Sequence, residues 1–151
     1  MVLRIRLIVA GARPKPWITE AFYEYEKRLP SNMAIELIEV PIGKRQSLID
    51  QGKQMLKSVR AGDWVVALDE RGKQLMSKDF AVKLENWRMT GGDISVLVGS
   101  ADGLDKICLE RANEKLSLSS LTFPHELVRV IFIEQLYRAW SIISGHPYHR
   151  V

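Results

Sequence analysis

Strand-like apolar runs alternate with helix-like segments along the whole chain, and this alternation limits the possible folds more than any other feature. Near the amino end, apolar residues alternate with arginines, which predicts a first strand over residues 2–10. Later apolar runs predict four more strands, over residues 33–40, 64–69, 94–99 and 116–118. The runs 64–69 and 94–99 are continuous, which is typical of strands buried on both faces.

Helical patterns fill the intervals between these strands. The expected helix boundaries are a start at Pro16, an N-cap at Ser47, an N-cap at Ser77, a stop at Gly91 and Gly92, a helix over 104–113 and a final start at Pro124. Strict alternation predicts a single α/β domain over residues 1–151, with a mostly parallel sheet flanked by helices. We expect Cys108 and all four tryptophans (Trp17, Trp64, Trp87 and Trp140) to pack in the core.

Three loops that leave strands in the second half of the chain are candidate ligand loops, because parallel sheets bind ligands beyond the carboxyl ends of their strands. Their sequences are LDERG (68–72), LVGSADG (97–103) and LSLSSLTFPH (116–125). Gly99 and Gly103 either let a ligand approach the backbone or simply make the turn, and spacing alone favours the turn. Neither a dinucleotide-binding fingerprint nor a P-loop is present. Ser100 follows Gly99 directly, which is the wrong register for a hydrolase nucleophile.

The last predicted helix is apolar nearly all round, so it is buried either in its own core or against a second subunit. Glu134 and Arg138 lie four residues apart on it. They form either an ordinary surface ion pair or a site in which Arg138 meets a phosphate. After Gly145 a short tail carries His146, Tyr148, His149 and Arg150. The spacing of these residues alone predicts an ordinary terminus exposed to solvent.

Composition sets broad limits on function. The net charge is +4 and the isoelectric point about 9.3, which weakly favours a polyanionic partner such as nucleic acid. A single cysteine excludes an intrachain disulfide and indicates a reducing, cytoplasmic home. His146 and His149 are too few for a closed zinc site, so we expect no metal. No apolar run approaches the ~18 residues that span a bilayer, so we expect no membrane association.

Six segments together resemble one known family. They are ELIEVPIGKR (36–45), LDERG (68–72), LVGSADG (97–103), ANEKLSLSSLTFPHELVRV (112–130), EQLYRAWSI (134–142) and HPYHR (146–150). The chain resembles the RlmH family of ribosomal RNA large-subunit methyltransferases, within the SPOUT class. The likeness spans the whole chain, and its last three segments are the most specific.

This resemblance implies a homodimeric enzyme that uses S-adenosylmethionine to methylate N3 of a pseudouridine in 23S ribosomal RNA, on the ribosome. It also implies a trefoil knot near the carboxyl end. The donor pocket is expected to be lined by Leu68, Gly99, Leu118, Ser119, Ser120, Leu121, Thr122 and Phe123. The residues expected to hold the RNA are Arg138, Tyr148 and Arg150.

Loss of the pseudouridine N3 proton calls for a base or a charge-stabilising group. His125, His149 and Asp102 are the candidates for the base, and the sequence does not choose among them. With these, Arg138 and Tyr148 complete the expected catalytic set. A further hypothesis is that the tail of one subunit completes the pocket of the other.

The chain departs from the family pattern at three positions. Ser100 stands where a second glycine is usual, Asp102 is shorter than the usual glutamate, and Val151 ends the chain where a charged residue is common. Two alternative functions follow. One is a non-catalytic ribosome-binding factor with the same fold, and the other is a SPOUT methyltransferase with another RNA target.

Overall fold

A computed structural model describes residues 2–149, and in that range five strands alternate strictly with five helices. The strands are β1 Leu3–Ala10, β2 Met33–Val40, β3 Trp64–Gln74, β4 Ile94–Val98 and β5 Glu114–Ser117. The helices are α1 Pro16–Glu26, α2 Leu48–Leu56, α3 Ser77–Thr90, α4 Lys106–Arg111 and α5 His125–Ser144.

The strands form one sheet in the order β2-β1-β4-β3-β5, and every neighbouring pair is parallel. The predicted α/β fold with a parallel sheet flanked by helices is therefore confirmed. Because all strands point the same way, their carboxyl ends meet at one edge of the sheet. The trefoil knot stays a prediction.

Two apolar cores cover the two faces of the sheet. On one face α5 packs against both α1 and α3, with Phe22, Phe80 and Phe132 in the core. On the other face α2 and α4 pack together, and Met55 and Cys108 meet the sheet there. The middle of α5 is thus buried in the core of its own subunit, and contact of this helix with a second subunit stays a prediction.

A buried polar network ties the amino ends of three strands together. Arg6 of β1 is 5% exposed and pairs with Asp63, and it also donates to Asp93 at 3.2 Å. The Asp63 carboxylate accepts two further hydrogen bonds, from the Ser95 hydroxyl and the Arg60 amide, each at 2.8 Å. Burial alone would raise the pKa of Asp63, but these hydrogen bonds outweigh it and the pKa lies below its usual value.

Several predicted boundaries are wrong by a few residues. Ser77 does not cap α3, since Met76 occupies the N-cap and the Ser77 hydroxyl donates to Gln135 of α5 at 3.0 Å. The helix predicted over 104–113 is shorter, because the Asp105 carboxylate caps it by accepting from the Ile107 amide at 2.9 Å. The fifth strand begins two residues earlier than predicted, at Glu114. The third strand continues five residues beyond its predicted end at 69, to Gln74, so the predicted loop LDERG (68–72) is part of β3.

The tryptophans divide into two groups. Trp87 is buried and Trp140 packs partly against the core, as predicted. Trp17 and Trp64 are 53% and 43% exposed, so their core assignment is wrong. Trp64 is held instead by its indole N–H, which donates to the Glu114 carboxylate at 2.6 Å. The single cysteine, Cys108, is fully buried as predicted, and burial raises the pKa of its thiol to about 11.

Candidate active site

A cleft of about 740 Å³ opens at the carboxyl edge of the sheet. Its walls come from residues 68–71 within β3, from the loops that follow β4 and β5, and from the first residues of α5. The three segments that the sequence singled out therefore lie around one cavity. Its volume falls within the ~300–1,000 Å³ typical of small-molecule sites.

Seven of the eight residues expected to line a donor pocket line this cleft. They are Leu68, Gly99, Leu118, Ser119, Leu121, Thr122 and Phe123. Ser120 does not line it, and its hydroxyl instead accepts a hydrogen bond from the Gln74 amide at 2.7 Å. Two of the candidate bases, Asp102 and His125, also line the cleft.

The glycine loop turns so tightly that Gly99 tolerates no side chain. A Cβ on Gly99 would lie 2.5 Å from the carbonyl carbon and oxygen of Gly103. Gly103 has a φ of 85°, in the left-handed region that favours glycine, and its amide donates to the Ser100 carbonyl at 2.8 Å. Gly99 is thus required to make the turn, in addition to lining the cleft.

Ser100, the first departure from the family pattern, connects this loop to α2. Its hydroxyl donates to Oε1 of Gln51 at 2.8 Å, and Gln51 is only 4% exposed. The same hydroxyl accepts from the amide of Asp102 at 3.4 Å. The side chain at position 100 therefore connects the loop to α2 and fixes its conformation.

Residues 69–71 of β3 supply polar side chains to the cleft. The pairing of β3 with β5 shifts register between Leu68 and Lys73, so the residues between them leave the ladder at the cleft. The Asp69 carboxylate accepts from the Arg71 guanidinium at 2.9 Å and 3.0 Å, which holds the pKa of Asp69 below its usual value. From the segment LDERG, the family resemblance predicts a donor-pocket role for Leu68 alone.

His125 joins the cleft to the loop after β1. A Cβ on Gly11 would lie 3.4 Å from the His125 ring, so the GARPKP segment passes directly behind this wall of the cleft. No local sequence pattern predicts the contact between Gly11 and His125, because these residues are more than a hundred positions apart.

The other expected functional residues form a separate group at the far end of α5. Arg138 pairs with Glu134 at 3.1 Å, and its guanidinium lies 5.1 Å from the centre of the Tyr148 ring. The Tyr148 hydroxyl donates to the same Glu134 carboxylate at 3.2 Å. Nδ1 of His149 lies 3.1 Å from the Ser141 hydroxyl. Arg150 lies outside the described residues.

Tyr148 is held in its neutral form. Burial, aided by the Glu134 carboxylate and a hydrogen bond with Tyr25, raises the pKa of its phenol to about 12. The tail around it rests on aromatic side chains: the Tyr137 ring lies 4.5 Å from Tyr148, and His146 lies 5.5 Å from Trp140. This surface combines π-faces with a cation, as base-binding surfaces do.

Within one subunit the two groups are far apart. Arg138 lies thirteen positions after His125 on one continuous helix. At about 1.5 Å per residue, that places their backbones roughly 20 Å from each other. The fold brings Asp102 and His125 to the cleft, but it does not bring Arg138, Tyr148 or His149 there.

Residues 2–149 contain neither a metal-binding cluster nor a candidate membrane span. In that range, no group of three or more His, Cys, Asp or Glu side chains is arranged to hold a metal ion. Over the same residues, no helix combines the length and apolar character needed to cross a membrane.

Comparisons with known proteins agree on one family. The profile described as "Predicted SPOUT methyltransferase" matches residues 3–149. Proteins named ribosomal RNA large subunit methyltransferase H are similar over 98% of this chain. The one from Hahella chejuensis is 46% identical and that from Alkalilimnicola ehrlichii is 47% identical, each with 99% of its own length covered.

A solved structure supports the fold alone. It is that of a probable methylase family protein from Haemophilus influenzae Rd KW20, which matches with a TM-score of 0.62 at 14% identity, over 100% of this chain and 72% of that one. With the profile spanning nearly the whole chain and relatives this similar, the chain belongs to the SPOUT methyltransferase family, in the group of the ribosomal RNA large subunit methyltransferase H proteins.

Proposed function

We propose that this protein transfers a methyl group from S-adenosylmethionine to N3 of a pseudouridine in 23S ribosomal RNA, acting in the cytoplasm on the ribosome. Family membership supports methyl transfer, and the names of its relatives support a large-subunit RNA target. The observation that carries the proposal is the cleft, in which the segments 68–72, 97–103 and 116–125 surround one cavity.

The residues of the cleft suit the proposed donor. Leu68, Leu118 and Leu121 offer apolar side chains for the faces of an adenine ring, and the loop backbone offers hydrogen-bonding groups for its edge. Glu70 and Asp102 place carboxylates on the wall, which would attract a cationic ligand. When bound, the donor supplies an electrophilic methyl carbon on a sulfonium centre.

The remaining chemistry belongs to the protein. Methylation of N3 requires the nitrogen to be held in line with the methyl carbon and to lose its proton. Asp102 and His125 lie at the cleft, whereas His149 lies beyond the far end of α5. Tyr148 keeps its proton and donates a hydrogen bond to Glu134, so in this proposal its ring stacks on the RNA and it does not act as the base.

We further propose that the enzyme is a homodimer in which the tail of one subunit completes the cleft of the other. The separation of about 20 Å along α5 supports this arrangement, because a single subunit cannot bring Arg138 and Tyr148 to its own cleft. In this dimer Arg138, Tyr148 and Arg150 hold the RNA, and His149 joins Asp102 and His125 as a candidate base.

Heterodimers made from two inactive variants test the shared site. One variant carries Leu121→Trp in the cleft, and the other carries Tyr148→Ala and His149→Ala in the tail. If sites are shared, each heterodimer contains one site with both parts intact and regains up to half of the wild-type activity per dimer. If each subunit is complete by itself, no mixture recovers activity.

The function itself is tested in cells and by donor binding. Mass spectrometry of 23S RNA from a strain lacking the gene should show an unmodified pseudouridine, and complementation should restore the methyl group. Calorimetry should show binding of S-adenosylmethionine that is lost in Leu121→Trp. A protein that binds ribosomes but ignores the donor would be a non-catalytic factor, and donor binding with inactive ribosomes would indicate another RNA target.

A further inference from the structure

Two neighbouring loops together carry four positive charges, a number equal to the net charge of the whole chain. Residues 11–15 (GARPK) and 41–46 (PIGKRQ) contain Arg13, Lys15, Lys44 and Arg45 and no acidic residue, while the chain as a whole has a net charge of +4. All four side chains are exposed. None of them forms an ion pair with any other residue between 2 and 149.

Both loops leave the sheet at the same edge as the cleft. β1 and β2 are parallel and end opposite each other, with Ala10 paired to Val40. The Gly11 amide still donates to the Val40 carbonyl at 3.1 Å, so the two loops start side by side. β1 lies next to β4, whose loop forms part of the cleft.

The basic loops are continuous with the cleft wall. Gly11, in the first loop, lies against the ring of His125, which lines the cleft. The second loop leads within a few residues to Leu48, which also lines it. A strand of RNA that leaves the cleft on this side would therefore meet these four cations first.

The nearest carboxylate of β2 does not cancel this charge. Glu39, one residue before the end of the strand, is paired at 3.2 Å with Arg129, which is 2% exposed. Because its negative charge is already matched by a buried guanidinium, the field of Arg13, Lys15, Lys44 and Arg45 is left open to solvent.

We propose that loops 11–15 and 41–46 form a phosphate-binding surface that holds the backbone of the substrate RNA beside the cleft. This inference rests on the proposed function and adds to it the region that grips the RNA outside the reacting base. Exposed cations without partners suit this role, since phosphate contacts release counterions and give affinity without reading sequence.

The test compares two pairs of substitutions that change the charge equally. Lys44→Gln with Arg45→Gln removes two cations from the surface. The control, Lys53→Gln with Lys57→Gln, removes two exposed cations from α2 and its C-cap. Binding of each protein to purified large ribosomal subunits is measured between about 50 and 200 mM salt. Donor affinity and thermal stability are measured in parallel.

We expect the loop variant to lose about 1.5 to 2 units from the slope of log affinity against log salt. When the salt concentration rises fourfold, the affinity of the wild type should then fall by a factor roughly tenfold larger than that of the loop variant. Donor affinity should be unchanged, and the control pair should keep the wild-type slope. Equal slopes for the loop variant and the wild type, or equal losses in both pairs, would overturn the proposal.

Failure of this inference and failure of the proposed function give different results. If the wild type methylates ribosomal RNA but the loop variant binds with an unchanged salt slope, the surface is wrong and the enzyme assignment stands. If the wild type transfers no methyl group while its binding to the subunits still depends on the loops, the surface stands and the assignment fails.

Discussion

The hydroxyl of Ser100 donates a 2.8 Å hydrogen bond to the buried Oε1 of Gln51, joining the loop after β4 to helix α2. A glycine at position 100 would have no side chain with which to make this bond. In this chain the cleft loop is therefore tied to α2, whose first residue, Leu48, also lines the cleft.

We predict that Ser100→Ala weakens donor binding several-fold and lowers stability by about 1–3 kcal/mol, because Gln51 would keep a buried oxygen without a donor. Isothermal calorimetry and thermal unfolding measure the two effects. Ser120→Ala is the matched control, since that hydroxyl bonds to Gln74 outside the cleft. Unchanged donor affinity in Ser100→Ala would show that the bond does not position the loop.

Gly99→Ala is expected to disrupt the cleft although it adds only one methyl group. The added Cβ would meet the Gly103 backbone at 2.5 Å, and the loop must shift to relieve the contact. Overpacking of this kind costs about 1–3 kcal/mol, and donor binding should fall at least tenfold. Gly92→Ala is the control, since a Cβ there meets nothing within 4 Å. Similar behaviour of the two variants would contradict this explanation.

Asp63→Asn should destabilise the protein by about 3 kcal/mol at neutral pH, since it leaves the buried charge of Arg6 with only Asp93 as a partner. The folded-state pKa of Asp63 is depressed, so its contribution is fully present above the ordinary value of 3.8 and is lost as the pH falls below it. The variant should therefore lose less stability than the wild type on acidification.

Denaturant titrations at neutral pH and below pH 4 measure this difference. Glu20→Gln, on the exposed surface of α1, is the control and should change stability by no more than about 0.5 kcal/mol. An Asp63→Asn protein with the same acid sensitivity as the wild type would remove Asp63 as the cause.

The Tyr148 phenol should ionise only near pH 12, against an ordinary value of 10.0. Because the folded-state pKa is raised, stability from this group is present below the ordinary value and is lost as the pH rises towards the folded one. Tyrosinate absorbance, compared between the wild type and Tyr148→Phe, isolates this titration. A Tyr148 titration near pH 10 would show that the contacts with Glu134 and Tyr25 do not persist in solution.

Glu134→Gln should lower the pKa of Tyr148 and reduce methyl transfer, with donor affinity unchanged. The carboxylate of Glu134 holds both Arg138 and Tyr148, so its loss frees the two groups proposed to meet the RNA. Glu85→Gln is the control, because it breaks a comparable pair with Arg88 on α3, which is not part of the proposed site. Equal effects of the two substitutions on activity would argue against a positioning role for Glu134.

Much of the fold follows from local patterns, whereas the details of the site follow from distant contacts. The alternation of strands and helices predicts the sheet, and the shared direction of its strands predicts that the three loops meet. The prediction that Ser77 caps α3 is wrong because the Ser77 hydroxyl donates to Gln135, fifty-eight residues away. The exposure of Trp64 has a similar cause, a bond to Glu114 on the edge strand.

The same reasoning explains which site residues the sequence could place. Leu68 lies in β3, and Gly99 and Leu118 directly follow β4 and β5, so the topology carries all three to the cleft. Tyr148 and His149 follow a long helix, and its length carries them away from the cleft of their own subunit. No local sequence pattern predicts where the end of such a long helix lies relative to a cavity. That position depends on the packing of α5 against α1 and α3.

The burial of Cys108 has a practical consequence for measuring the proposed dimer. A fully enclosed thiol whose pKa is about 11 remains almost wholly protonated at neutral pH and resists alkylating reagents. A cysteine introduced at an exposed position such as Lys53 can therefore be labelled selectively with a spin probe or a fluorophore. Distances between two such labels would report how the subunits are arranged, without first removing the native thiol.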